Sequence, residues 1–304
     1  MLLLLAVFLS TEHFRGKWAL SRRLRALQAN GERFSISALE PKRPSIDRNA
    51  FLNLVALTNQ LETIMTNLGD LPPSLRFGAP GRAVVAWRLS GWSSDGKTTN
   101  DWTKIGKELE NAHGLLDLIN AASEKPEYDS GFDYHKGFVD FQIAPLVPIK
   151  RAAQVLDAAV LYELRQGRLD EAHQYLRAFV RLVADQREPL VIFQLVRQAC
   201  AAIAFDATWE ALQAQDWNDS QLASVQAAWE GCDFEGDMAS AFEMERAMDI
   251  DFFNQLKASK DKLTFVVAQR EQASDFHKRT GLIWIGCTAR SGGSRGLTRT
   301  SLWH

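Results

Sequence analysis

The sharpest chemical pattern in this chain lies in eight consecutive residues. Gly91-Trp92-Ser93-Ser94-Asp95-Gly96-Lys97-Thr98 has the spacing G-x-x-x-x-G-K-T. In that arrangement backbone N–H groups cradle phosphates, the lysine ammonium pairs with them, and the threonine hydroxyl holds Mg²⁺. The candidate residues are Gly91, Gly96, Lys97 and Thr98. The surrounding sequence argues against the pattern. Such a loop sits in a parallel sheet of repeated β–α units, and little else in the chain reads as strand. No apolar run of four ends in an aspartate to hold the metal; Phe265-Val266-Val267-Ala268 is followed by Gln269. Asp95 would set a negative charge against the phosphates. A polar loop leading to a helix cap at Asn100 or Asp101 accounts for the same residues.

Three other constellations have chemical content. Glu110-Asn111-Ala112-His113 is one E-x-x-H, which would place two metal ligands on one helix face. Bundle metal centres of this type need two such motifs and two further glutamates. A second motif is absent, so a surface pair of His113 with Asp117 is the plainer reading, and no metal site is expected. Glu245 and Asp249 share a face in the acidic stretch Asp233–Asp251 and could chelate a cation or do acid–base work. With Arg246 beside them, a solvated face is the simpler account. Asp133-Tyr134-His135-Lys136 is the best pocket candidate by composition, although Phe132, Tyr134 and Phe138 are suited to pinning the loop to the body. Neither a G-x-S-x-G elbow nor an H-E-x-x-H occurs.

The elements that must position these residues read as helices. With 304 residues the chain can build one or two domains around a sizeable core. A hydrophobic fraction of 46% excludes wholesale disorder, and a net charge of −2 gives no basic field for nucleic acid. Cys200, Cys232 and Cys287 form no C-x-x-C pair and read as free thiols. Met1–Leu9 is wholly apolar, about half of what spans a bilayer. It reads as the remnant of an anchor whose start lies upstream, the alternative being a short apolar helix end packed on the body. Arg15, Lys17, Arg22, Arg23 and Arg25 follow it on a charged stalk that ends at Gly31.

Ser35–Asp47, with two prolines, reads as a linker, and Asp47 as the cap of a helix from Asn49 to Asn67. Ala83–Leu89 favours a strand. Asn100 or Asp101 caps a helix running to Ile119. From Phe138 to Gln272 helices are almost continuous, with breaks near Pro145 and Pro148, Gly167, Pro189, Asp216–Asp219 and Gly231–Gly236. The hairpin around Gly167 is the clearest: a second helix carries Leu176, Phe179, Val180 and Val183 on one face. Trp209, Trp217 and Trp229 fall at helix packing positions, while Trp87, Trp92 and Trp102 cluster near the strand. Thr280–His304 contains no acidic residue and keeps no period, so it reads as a disordered or atypical tail.

Several pieces in fixed order resemble a known group. They are Ala26–Glu32, Pro44–Phe51, Val85–Trp87, Thr99–Trp102, the block LYELRQGRLDEAHQYLRAFVRLV, the block PLVIFQLVRQACAAIAFDATWEAL, and Glu245–Asp251. Together, over roughly Trp18–Phe253, they resemble a bacterial family of membrane-anchored or exported α-helical proteins. The resemblance implies one N-terminal transmembrane helix and a tetratricopeptide-like helical body. That family carries no established activity, so no catalytic residue or cofactor is transferred. The Leu161–Leu176 section also resembles one tetratricopeptide repeat, but no second copy follows at a fixed period.

The expected fold is mainly α: an antiparallel helical-hairpin array with a small strand or hairpin insertion near 82–92. The expected domains are an anchor and stalk over 1–33, a helical body over 34–275 and the tail over 276–304. The expected function is a non-catalytic interaction or scaffold module of the cell envelope, held at a membrane by its apolar start. A protein partner would lie in a helical groove, with no nucleic acid and no cofactor. The alternative is a nucleotide-binding enzyme using Gly91–Thr98.

Overall fold

A glycine in the left-handed region organises the centre of the molecule. The computed structural model describes residues 2–69, 85–93, 99–136 and 146–258, and is mainly helical. Gly167, at φ 73° and ψ 17°, ends α7 (Val147–Gln166). The Arg168 N–H then donates to the Glu163 carbonyl at 3.0 Å and the Gly167 N–H to the Leu164 carbonyl at 3.1 Å. These two bonds satisfy carbonyls that a helix end would otherwise orphan. The chain reverses at once into α8 (Leu169–Asp185), giving the expected hairpin.

Helix α7 is buried almost all round because its neighbours surround it. It packs against α8, α9 (Val191–Ala211), α3 (Ala50–Ala56), α4 (Thr58–Leu68) and α5 (Trp102–Asn111). Small side chains at Ala152, Ala153, Ala158 and Ala159 let those helices approach, and Val155, Leu156, Val160 and Leu161 fill the space between them. Helix α6 (His113–Ser123) packs on α3 and α8, and α10 (Asp219–Glu230) covers α8 from another side. A smaller core joins Ile36 of α2 (Ile36–Leu39), Phe132, Tyr134 and the start of α9 to Met244 and Met248 of α11 (Phe234–Ala258). Met1–Phe253 forms one compact unit; of the second unit, Asn254–His304, only residues 254–258 are described.

Several local expectations are corrected. The helix expected from Asn49 to Asn67 is two helices that break at Leu57. Its cap is Asn49, not Asp47. A buried amide both accepts and donates, and Asn49 Oδ1 takes the N–H groups of Phe51 (3.0 Å) and Asp129 (3.1 Å) while Nδ2 donates to the Asp129 carbonyl (2.8 Å). A carboxylate can only accept. The helix from Asp101 to Ile119 likewise breaks at Ala112, although Asp101 caps it as expected, accepting from the Thr103 N–H at 2.9 Å.

The strand expected over Ala83–Leu89 is not formed in its described part, where Ala86–Arg88 makes a single 3₁₀ turn. The reason is side-chain competition for the backbone. The Glu210 carboxylate takes the Ala86 N–H, and Arg165 donates to the carbonyls of Trp87 and Leu89, so no partner strand is required. The described extended residues are a two-residue ladder, β1 (Trp92–Ser93) antiparallel to β2 (Thr99–Asn100).

At the N-terminus, α1 (Leu2–Ala29) runs as one helix with Leu3, Leu4, Phe8, Phe14 and Trp18 well exposed. Gly31 follows it at φ 87°. The residues after it are tied to α11 through an ion pair of Arg246 with Glu32 and one of Arg33 with Glu243 at 3.1 Å. By length and composition one helix among the described residues, Val191–Ala211, is long and apolar enough to cross a membrane. It packs on α7 and α8 and carries Arg197 and Glu210, both without exposed surface, so in this fold it is a core helix.

Candidate interaction groove

A strongly apolar cavity lies where α9 and α10 meet over α8. Helix α9 contributes Thr208, Ala211 and Leu212, and α10 contributes Leu222, Val225, Gln226 and Trp229 at i, i+3, i+4 and i+7, one face of a helix. Leu176 of α8 forms the floor, and Trp217 closes one end from the connecting loop. The cavity holds about 360 Å³, within the range of small binding sites.

Its walls are held by hydrogen bonds that consume the polar atoms. The Trp229 indole N–H donates to Thr208 Oγ1 at 3.1 Å, bridging α10 to α9. The Trp217 indole N–H donates to the Ala211 carbonyl at 2.8 Å. With both indole donors satisfied, the ring faces are free to line the groove. The start of α10 is fixed by a reciprocal cap: Gln221 N–H donates to Asn218 Oδ1 at 2.9 Å, and Asn218 N–H to Gln221 Oε1 at 3.1 Å. Gln221 Nε2 then reaches Asp170 Oδ1 of α8 at 2.8 Å. The rim keeps large apolar side chains in solvent: Phe205 at 58%, Leu212 at 55% and Leu222 at 39% exposed. Phe205 meets the Trp229 ring edge-on at 6.4 Å.

The residues of the G-x-x-x-x-G-K-T pattern are only partly placed. Gly91 sits in a bend before β1; Gly96, Lys97 and Thr98 lie outside the described residues. Trp92 pairs with Asn100 and Ser93 with Thr99, so β1 and β2 run antiparallel. Glu110 ends up on α5 and His113 on α6, because the helix breaks between them; they do not share one helix face. His113 Nδ1 lies 3.0 Å from Asp117 Oδ2, the surface pair expected. Glu110 and His113 face Tyr162, Glu163, Arg168 and Tyr175 across a polar cleft of about 280 Å³. Among the described residues no three His, Cys, Asp or Glu side chains are grouped to hold a metal ion.

Glu245 accepts the Val191 N–H at 3.0 Å and so caps the start of α9, where a carboxylate also meets the positive end of the helix dipole. In the aromatic loop Tyr134 is buried and donates to Glu188, and Phe132 meets Tyr134 edge-on at 5.2 Å, so both pin the loop to the body. Phe138 lies outside the described residues. Cys200 is buried, which pushes its thiol up to about 12; Cys232 is half-buried and also raised by desolvation, and Cys287 lies outside the described residues.

One titratable cluster escaped the sequence patterns. Asp157 of α7 and Glu210 of α9 are buried, with Asp206 one turn before Glu210. Burial raises all three carboxyls above their ordinary range. The neighbouring carboxylates add to the rise at Asp157 and Glu210, and Glu210 reaches about 7. Glu210 is spent on structure, accepting the Ala86 N–H with both oxygens at 2.9 and 3.0 Å. Asp157 Oδ1 has no hydrogen-bond partner. The two helices that juxtapose these groups are over forty residues apart in sequence, and no local spacing announces them.

Comparison with known proteins finds no family model, no curated protein and no solved structure that matches this chain.

Proposed function

We propose that this chain is a membrane-associated, non-catalytic interaction module, with the α9–α10 groove as the seat of its partner. The observation that carries the reading is the groove itself: apolar, lined by two tryptophans, rimmed by exposed Phe205, Leu212 and Leu222. Aromatic and aliphatic side chains held rigid around a concave surface are what helix-binding grooves present. The exposed apolar start of α1 supports association with a bilayer. The family resemblance and its tetratricopeptide-like array are consistent with the hairpin of α7 and α8.

Two measurements test this. The full chain should float with phosphatidylcholine–phosphatidylglycerol vesicles, and Leu5→Glu with Phe8→Glu should leave it in the soluble fraction. A photo-crosslinking residue at position 222 should give one discrete adduct in the native cell, abolished by Leu212→Lys. No flotation removes the membrane half of the reading, and a diffuse smear or no adduct at position 222 removes the groove.

A further inference from the structure

From the groove's charge as well as its shape, we propose that its partner is a cationic amphipathic helical segment. This deepens the interaction reading and depends on it. Between Arg197 and Arg246 the chain carries ten carboxylates and not one lysine, arginine or histidine. Helix α10, the whole α9–α10 loop and the groove half of α9 all lie in that stretch. The fold spends part of this charge. Glu210 binds backbone, Asp237 pairs with Arg197, Glu243 with Arg33, and Glu245 caps α9. Of the rest, Asp216, Asp219 and Glu230 are exposed and adjoin the residues that line the cavity.

Asp216 and Asp219 flank Trp217 at one end, and Asp219 is one turn from Leu222 on α10. At the other end Glu230 follows Trp229 and accepts from Gln226 Nε2, a lining side chain, at 2.8 Å. None of the three forms an ion pair among the described residues. Arg187, whose guanidinium reaches the carbonyl of Gly231 beside Glu230, donates to that carbonyl and to the one of Ala184.

An apolar floor with carboxylates at both ends selects for a segment with the reverse pattern. Leucine or aromatic anchors at i, i+3 and i+7 would fill the space beside Trp217, Leu222 and Trp229. Lysine or arginine on the flanks would meet Asp216, Asp219 and Glu230. Helix α10 has 12 residues, so a partner of about three turns matches its length. The same rim repels phosphate-bearing surfaces, so a nucleic acid or an anionic headgroup layer is disfavoured here.

The test uses the full chain and a fluorescein-labelled synthetic Leu/Lys peptide of about four helical turns, followed by anisotropy. Saturable binding that weakens with salt is expected, with no binding of the Leu/Glu analogue. Leu222→Lys, and separately Asp216→Asn with Asp219→Asn and Glu230→Gln, should each weaken it roughly tenfold while leaving the far-ultraviolet circular dichroism and the melting temperature unchanged. Equal affinity for a neutral Leu/Gln peptide, or unchanged affinity in both variants, overturns the proposal. Self-association of the chain that Leu222→Lys abolishes would make a second copy the occupant and also overturns it. If the peptide fails but the position-222 adduct persists, the partner chemistry is wrong and the groove stands; if both fail, the groove falls too.

Discussion

Arg197 Nη1 meets Asp237 Oδ2 at 2.6 Å, although the guanidinium has no exposed surface. The same side chain donates to the Val183 carbonyl at 2.7 Å, the Ala184 carbonyl at 3.3 Å and Gln194 Oε1 at 3.1 Å. Its planar fork therefore collects the last carbonyls of α8, a side chain of α9 and a carboxylate of α11. The ring of Phe234 lies 4.8 Å from its Cζ. Lysine cannot reproduce this, since it offers a single point of charge.

Removing Arg197 leaves buried carbonyls and a partly buried carboxylate unpaired. Arg197→Met should cost about 3–5 kcal/mol, and Asp237→Asn distinctly less, because the backbone acceptors still hold the guanidinium. Urea unfolding followed by circular dichroism measures both. Equal costs would show that the ion pair, not the carbonyl set, is the main contribution.

The Glu210 carboxyl, raised to about 7 by burial, dictates a pH dependence. Its folded pKa lies above the unfolded value of about 4.5, so its protonated form is the one the fold favours. That contribution is complete below the unfolded pKa and is lost as pH rises towards 7. Asp157 and Asp206 are shifted in the same direction. Glu210→Gln keeps an acceptor for the Ala86 N–H without the charge. It should reduce the loss of stability between pH 5 and pH 8 by on the order of 1–2 kcal/mol. Melting temperatures across that window check the slope, and a slope identical to the parent's would exclude the group as its source.

Gly106 on α5 has no room for a side chain. A Cβ there would lie 2.3 Å from the Tyr162 hydroxyl and 2.5 Å from its Cζ. Alanine is favoured over glycine in a helix by about 1 kcal/mol, so Gly106→Ala would stabilise an open site. Here it should destabilise by about 1–3 kcal/mol through overpacking. In a Tyr162→Ala background the sign should reverse, which thermal unfolding of the four variants would show.

At Gly167 the obstacle is the backbone and not space, since nothing lies within 4 Å of where a Cβ would stand. Its φ of 73° penalises a β-branched residue most. Gly167→Val should lower stability by about 1–2 kcal/mol and Gly167→Asn by clearly less. A valine variant as stable as the parent would mean that the turn tolerates another conformation.

Local chemistry was legible wherever a residue acts on its immediate neighbours. Asp101 before Trp102 and Gly167 after Gln166 announce a cap and a stop, and both are found. Leu176, Phe179, Val180 and Val183 share one face by spacing alone, and that face is buried. The break at Leu57 was not legible, because no proline or glycine stands near it, and the one at Ala112 had only Gly114 two residues on as a cue. The groove was half legible: Trp217 and Trp229 read as packing residues, and only their seating at the surface reveals a lining role. The stretch without a basic residue between Arg197 and Arg246 was the signal present in the sequence that points to its rim.

By itself the sequence determined a mainly helical chain, its central hairpin, an apolar start and an acidic stretch between Arg197 and Arg246, because periodicity, capping and charge act within a few turns. Tertiary structure decided the rest. It turned the segment around Ala86 into a 3₁₀ turn by bringing Glu210 and Arg165 to its backbone. It separated Glu110 from His113 onto two helices, and it gathered Asp157 with Glu210 and Arg197 with Asp237. Burial and desolvation are properties of the packed whole, and partners tens of residues apart are chosen by packing, not by spacing.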